Sequence, residues 1–193
     1  MSELALEVSF AETGEKAKEL MDLVLPALEG AGVRYWLDLG LLLGAIRGRR
    51  LDPWGGDVDI TVAPGTQAET VLSVLERCGT KVRKVKRFSN DNAPFDKGDM
   101  RVIKTHFHGH RHPQMDLIFC KEYDEQIWWG IVGSLQAAPA EFFEPLQSYE
   151  FLGREYPIPA QPEAYLAYRY GDWKTPVKDW KRSYDQTNVR RLV

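Results

Sequence analysis

Asp57-Val58-Asp59-Ile60-Thr61-Val62 alternates acid or hydroxyl side chains with apolar ones, the period of a half-buried β-strand. Asp57 and Asp59 stand two residues apart, so a strand projects both from one face, close enough to share a cation. Two carboxylates held that close repel, and burying them is costly unless a metal or a base compensates. A third acid, Asp116, sits between Met115 and Leu117 in another apolar stretch, Gln114 to Phe119. If those two strands are neighbours, three carboxylates converge. Hard oxygen ligands of this kind suit Mg2+ or Mn2+, which keep some waters and complete their shell from substrate phosphates. The plainer reading of the Asp57/Asp59 pair is the solvent face of an edge strand, and taken alone the pair does not exclude it.

The preceding segment weighs against that reading. Gly40-Leu-Leu-Leu-Gly-Ala-Ile-Arg47 reads as a short buried helix opening at Gly40. Glycine lets a ligand approach the backbone, and the first helical amides have no partner within the helix, so they can hold phosphate. Arg47, about two turns on, offers a forked donor set. By itself a Leu-rich packed helix with a surface arginine would explain the same residues. Pro53-Trp54-Gly55-Gly56 then makes a turn into the acidic strand.

Outward from this centre, Ala17, Leu20, Met21, Val24, Leu25 and Leu28 recur at helical spacing from Glu15. The first ten residues are weakly patterned and read as loose. Pro26 is expected to kink or split this helix, and Gly30 and Gly32 to end it. Val33 to Leu37 reads as a strand. Thr66-Gln-Ala-Glu69 has the spacing of a capping box opening a helix through Val71, Leu72 and Leu75 to about Cys78. Lys81 to Phe88, Met100 to Phe107 and Gln114 to Phe119 read as strands, and Tyr149 to Tyr156 as a hairpin turning near Gly153. Pro162 opens a last helix through Tyr168, stopped by Gly171. Close strand pairs after residue 80 favour a mixed sheet, so the fold class is α/β (α+β).

The chain has 193 residues, 44% hydrophobic and 27% charged, which suits one folded domain with a core rather than disorder or coiled coil. No apolar run reaches the ~18 residues of a membrane helix. The start lacks the features of a signal peptide, and Cys78 and Cys120 do not form a CxxC pair. These point to a cytoplasmic protein. A formal charge of −3 makes nucleic acid an unlikely partner for the surface as a whole.

Taken together, Tyr35-Trp-Leu-Asp-Leu-Gly-Leu-Leu-Leu-Gly-Ala-Ile-Arg47, Pro53-Trp54 and Asp57-Val-Asp-Ile60 resemble the LicD and fukutin-related proteins. Tyr170-Gly-Asp-Trp-Lys-Thr-Pro176 resembles a segment closing many LicD-like domains, so the likeness runs from about residue 15 to 176. The resemblance implies the nucleotidyltransferase fold: a mixed sheet flanked by helices, with a small helical and hairpin extension at the C-terminus. On that reading 1–193 is one domain, with its core at about 15–120 and the extension at about 121–193. It also implies Mg2+ or Mn2+ at Asp57, Asp59 and Asp116, which are at once metal ligands and catalytic residues. Gly40, Gly44 and Arg47 become the phosphate side, and Trp54 and Lys104 join them as substrate-binding candidates. The implied reaction moves phosphocholine or a polyol phosphate from a nucleotide-activated donor to a hydroxyl acceptor such as a glycan. Two departures bear on it. The family usually has Thr or Ser at the position of Leu41, and Asp at that of Gly55. A nucleotidyltransferase moving NMP from an NTP, or a degenerate member that only binds nucleotide, therefore stay open.

Two further clusters draw the eye. His106, His108, His110 and His112 alternate and could bind Zn2+ from one strand face, but Gly109 and Pro113 predict a turn that breaks the face. The alternatives are that one or two of them face substrate, or that all sit in a solvated hairpin. Lys81, Arg83, Lys84, Lys86 and Arg87 read first as a charge-protected edge strand, and second as a surface for an anionic acceptor or donor phosphate. Trp128, Trp129, Phe142, Phe143 and Trp173 read as packing.

Overall fold

The structure, a computed structural model, describes residues 3–49, 51, 57–109, 112–131, 133–177 and 189–192. Helix α1 spans Glu3–Gly30 and is followed by strand β1 at Tyr35–Leu37, helix α2 at Leu39–Gly48 and strand β2 at Val58–Val62. Helix α3 (Ala68–Arg77) leads to β3 (Lys81–Arg87), β4 (Met100–His106) and β5 (Gln114–Tyr123). Then come β6 (Gln126–Ile131), β7 (Ser134–Pro139), the hairpin β8 (Gln147–Phe151) and β9 (Arg154–Ile158), helix α4 (Pro162–Tyr170) and β10 (Val189–Leu192).

Eight strands form one mixed sheet, ordered β1-β2-β5-β6-β7-β10, with β4 also on β5 and β3 on β4. Strand β5 is long enough to serve two neighbourhoods. Its first half lies between β2 and β4, and its last residues pair with β6. The β2–β5 pair is parallel and the other described pairings are antiparallel. The sheet thus runs through position 120 into β6 and β7, which short apolar runs around Trp128-Trp129 and Leu135 build without marked alternation.

Helix α1 presents Leu20, Met21, Val24, Leu25 and Leu28 to the core, each fully buried. It begins at Glu3, well before the first strongly patterned residue, and it continues through Pro26. The missing proline donor removes only the bond to the Asp22 carbonyl, while buried Val24, Leu25 and Leu28 hold the helix on both sides of it. The capping box at Thr66 does not form. Helix α3 starts one residue later, from Gln67, with no side-chain cap, because the Thr66 hydroxyl donates to the Ala63 carbonyl instead. Among the described residues no helix is long and apolar enough to cross a membrane.

The β8–β9 hairpin and the segment after α4 close over α2. Tyr149 donates its hydroxyl to the Ala45 carbonyl, and Arg49 donates to the Glu150 carbonyl. Trp173 is 8% exposed, and Arg47 donates to its carbonyl at 3.3 Å. The post-helix segment is therefore docked as far as Trp173. Trp173→Ala is expected to lower stability by about 3–5 kcal/mol in urea denaturation, through loss of a buried aromatic. In the wild-type chain, limited proteolysis at exposed Lys174 should proceed only with global unfolding; early cutting that leaves a stable fragment would contradict the docking.

Candidate active site

Asp59 on β2 is the in-register partner of Asp116 on β5. Directly opposed residues of neighbouring strands point to the same face, at about the 4.8 Å strand spacing. Asp57, two residues before Asp59, adds a third acid to that face. On its other side Asp116 is opposed by Lys104 of β4, and Lys104 by Lys84 of β3. Four strands therefore carry one row of charge: Lys84, Lys104, Asp116, Asp59. Lys104 and Asp116 form an ion pair, with Asp116 buried.

Asp57 is held from an unexpected direction. Gln114 of β5 donates its amide to Asp57 Oδ2 at 3.0 Å and accepts from Arg83 at 2.9 Å. A register shift between Val82 and Lys84 turns Arg83 toward this face beside Lys84. His112 Nδ1 lies 3.7 Å from Asp57 Oδ1. With Asp57 taken by Gln114 and Asp116 by Lys104, no three His, Cys, Asp or Glu side chains among the described residues are grouped closely enough to hold a metal as they stand.

Helix α2 is aimed at the same place. Asp38 is its N-cap, extended at φ −140°, with Oδ1 accepting from the Leu39 amide at 2.6 Å. Leu39 follows in the left-handed region, φ 50°, a conformation that disfavours a β-carbon by about 1–2 kcal/mol. That strain is held by the burial of Leu39 and by its amide bond to Asp38. The Asp38 amide donates to the Asp59 carbonyl, and a β-carbon on Gly40 would lie 3.8 Å from Asp59 Oδ2. An alanine would fit at Gly40; a larger side chain would cover the carboxylate.

Asp38 itself is 1% exposed and fully engaged. Thr61 donates to its Oδ2 at 2.6 Å, and Tyr165 to its Oδ1 at 2.8 Å. Arg169, 0% exposed, donates to the Tyr165 hydroxyl at 3.2 Å and lies over the rings of Trp129 and Tyr170. A buried acid and a buried base are thereby joined through one tyrosine hydroxyl. Asp38 and Arg169 do not stand out as site residues in the sequence, and Tyr165 reads there only as an aromatic near the last helix, for packing or a sugar face. The available signal was an Asp directly before a helix start, the N-cap preference.

The remaining candidates scatter. Gly44 is buried inside α2, and Arg47 is half-buried under the Trp173 segment rather than free at the helix mouth. Trp54 and Gly55 lie outside the described residues, as does His110. His106 is buried, with Nδ1 bonded to the Phe107 carbonyl, whereas His108 and His112 are exposed. These three therefore share no zinc-binding face. A cavity of about 290 Å3 lies at the far end of β2 and β5, lined by the start of α3, Phe95, Phe119 and Lys121, away from the carboxylates.

The family described as LicD/FKTN/FKRP, nucleotidyltransferase domain, matches residues 32–161, about two-thirds of the chain. The chain belongs to this LicD family. The matched span holds Asp38, the three carboxylates and Lys104, while Tyr165 and Arg169 fall beyond it. Among curated proteins, this LicD-family chain is 26% identical over 175 residues to the human ribitol-5-phosphate transferase FKTN, covering 88% of this chain and 36% of that protein. A stretch of 45 residues is 49% identical to the human ribitol 5-phosphate transferase FKRP, 23% of this chain and 9% of that one. The chain thus spans little more than a third of the FKTN relative. Among solved structures, ANT(2'')-Ia in complex with adenylyl-2''-tobramycin superposes with a TM-score of 0.51 at 18% identity, covering 86% of this chain and 81% of that one. That likeness establishes the shared nucleotidyltransferase fold.

Burial pushes the hydroxyl pKa of Tyr165 well above the ordinary 10.0, with the charge of Asp38 adding to it, and burial raises Tyr170 too. Such groups contribute stability that is fully present below their unfolded value and lost as pH rises through the folded one. Burial raises the thiols of Cys78 and Cys120 above their ordinary 9.0 in the same way, so the LicD-family chain should hold its denaturant midpoint from pH 7 to about 8, begin to lose it near 9 as the thiols of the unfolded chain ionise, and lose it steadily above 10. Tyr165→Phe removes the hydroxyl shared by Asp38 and Arg169, and is expected to lower stability by about 1–3 kcal/mol in urea unfolding. An unchanged midpoint in that variant would show that the link is dispensable.

Proposed function

We propose that this chain transfers a phospho-group, of the polyol-phosphate or phosphocholine type, from a CDP-linked donor to a hydroxyl on a glycan-like acceptor. Asp57, Asp59 and Asp116 would hold Mg2+ or Mn2+. The observation that carries the reading is the in-register pairing of Asp59 with Asp116, with Asp57 on the same face, beside the start of α2. Membership in the LicD family and the names of the FKTN and FKRP relatives support the reaction class.

The donor set is all oxygen and borne on one face, which fits a hard divalent cation in kind. A cation held there supplies neutralisation of phosphate charge during in-line displacement. The chain's own residues do the rest. Beyond the Leu39 amide, which Asp38 Oδ1 takes, the start of α2 would offer backbone amides to a donor phosphate. Lys104 and Lys84 extend positive charge along the row beyond Asp116. Asp116 would take the proton of the attacking acceptor hydroxyl. The new bond joins acceptor oxygen to phosphorus as the bond to CMP breaks, and CMP leaves.

A donor screen tests this directly. With Mn2+ and a hydroxyl acceptor, CDP-ribitol, CDP-glycerol or CDP-choline should be consumed with release of CMP. Pyrophosphate release from an NTP would point instead to nucleotidyl transfer. Asp59→Asn should lower turnover at least ~100-fold while leaving the melting temperature equal or higher, since it removes a ligand charge and relieves carboxylate repulsion.

A further inference from the structure

We propose that Lys104 is a built-in counter-ion that a divalent cation must displace from Asp116, so that this lysine sets the affinity of the site for metal. The inference rests on the metal reading above and goes beyond it by assigning a competitor within the chain.

Asp116 is 7% exposed and faces Asp59 directly across the β2–β5 pair. A buried carboxylate opposite a second carboxylate needs a positive partner. Lys104, its in-register neighbour on β4, provides one and pairs with Oδ2. Lys104 is also pressed toward Asp116 from behind, because Lys84 opposes it on β3 and Lys86 lies nearby. The crowding of positive charge there is felt at Lys86: burial first, then Lys84, Arg101 and Lys104, lower its pKa, while Asp116 raises it. An ammonium on Oδ2 and a divalent cation on either oxygen of the same carboxylate would lie within about 5 Å of each other and repel strongly. Binding of the metal therefore requires Lys104 to swing away, and its side chain, 22% exposed, has a solvent-facing route to do so.

The test is a direct Mn2+ titration, followed by electron paramagnetic resonance, of the wild type, Lys104→Met and Lys104→Arg. Methionine keeps the stem and removes the competitor. Arginine keeps the charge and grips a carboxylate with two donors. Lys104→Met should bind Mn2+ at least about tenfold more tightly than the wild type, and Lys104→Arg more weakly. Without metal, Lys104→Met should melt below the wild type; with saturating Mn2+ it should gain the larger rise in melting temperature. A purely structural lysine would shift both variants in the same direction. If the wild type binds Mn2+ and Lys104→Met binds equally or less tightly, the counter-ion inference is wrong and the metal reading stands. If all three folded proteins bind none, the metal reading fails and this inference with it.

Discussion

The buried carboxylate of Asp38 is the contact on which the architecture of the site depends. It caps α2 through the Leu39 amide, ties β2 through Thr61 and anchors α4 through Tyr165. Its backbone amide grips the Asp59 carbonyl. A single side chain thus fixes a helix start, a strand and a distant helix around Asp59, the residue proposed to hold the cation. An isolated buried carboxylate would be strongly disfavoured, and Arg169 resolves this through the Tyr165 hydroxyl and the faces of Trp129 and Tyr170. Tyr165 and Arg169 lie beyond the span matched by the family, and through their bonds to Asp38 and to each other the C-terminal helix α4 takes part in the frame.

With the frame fixed, charge is laid out by strand order. The two carboxylates on β2 and β5 occupy the middle of the face, α2 approaches from the β1–β2 side, and lysines line the β4–β3 side. Asp116 is compensated by Lys104, and Asp57 by Gln114, itself oriented by Arg83. The strand read first as a protected edge therefore also serves the face. Its register shift turns Arg83 inward toward Gln114, while Val85 stays exposed to solvent.

Local pattern carried most of the fold. Alternation in 57–62 and 114–119, the glycine-bounded helix at 40–47 and the turn residues around Gly153 and Gly171 all specify elements that the structure contains. What depends on packing was hidden. Periodicity says that Asp59 and Asp116 each face one side, but only the pairing of β2 with β5 makes them neighbours. The Thr66 hydroxyl donates to the Ala63 turn carbonyl instead of accepting from a helix amide. Pro26 is tolerated because tertiary burial outweighs one lost hydrogen bond. The Asp38–Tyr165–Arg169 link spans more than 120 positions, and no spacing rule reaches that far.

The central claim is that the paired carboxylates of β2 and β5 form a divalent-cation centre. The most direct measurement is anomalous diffraction at the manganese edge from crystals of this chain soaked in Mn2+. The account predicts a peak in contact with the carboxylates of Asp59 and Asp116, with the Lys104 ammonium moved off Asp116. A peak confined to His106, His108 or His112, or well-ordered carboxylates with no peak and Lys104 still in place, would contradict it.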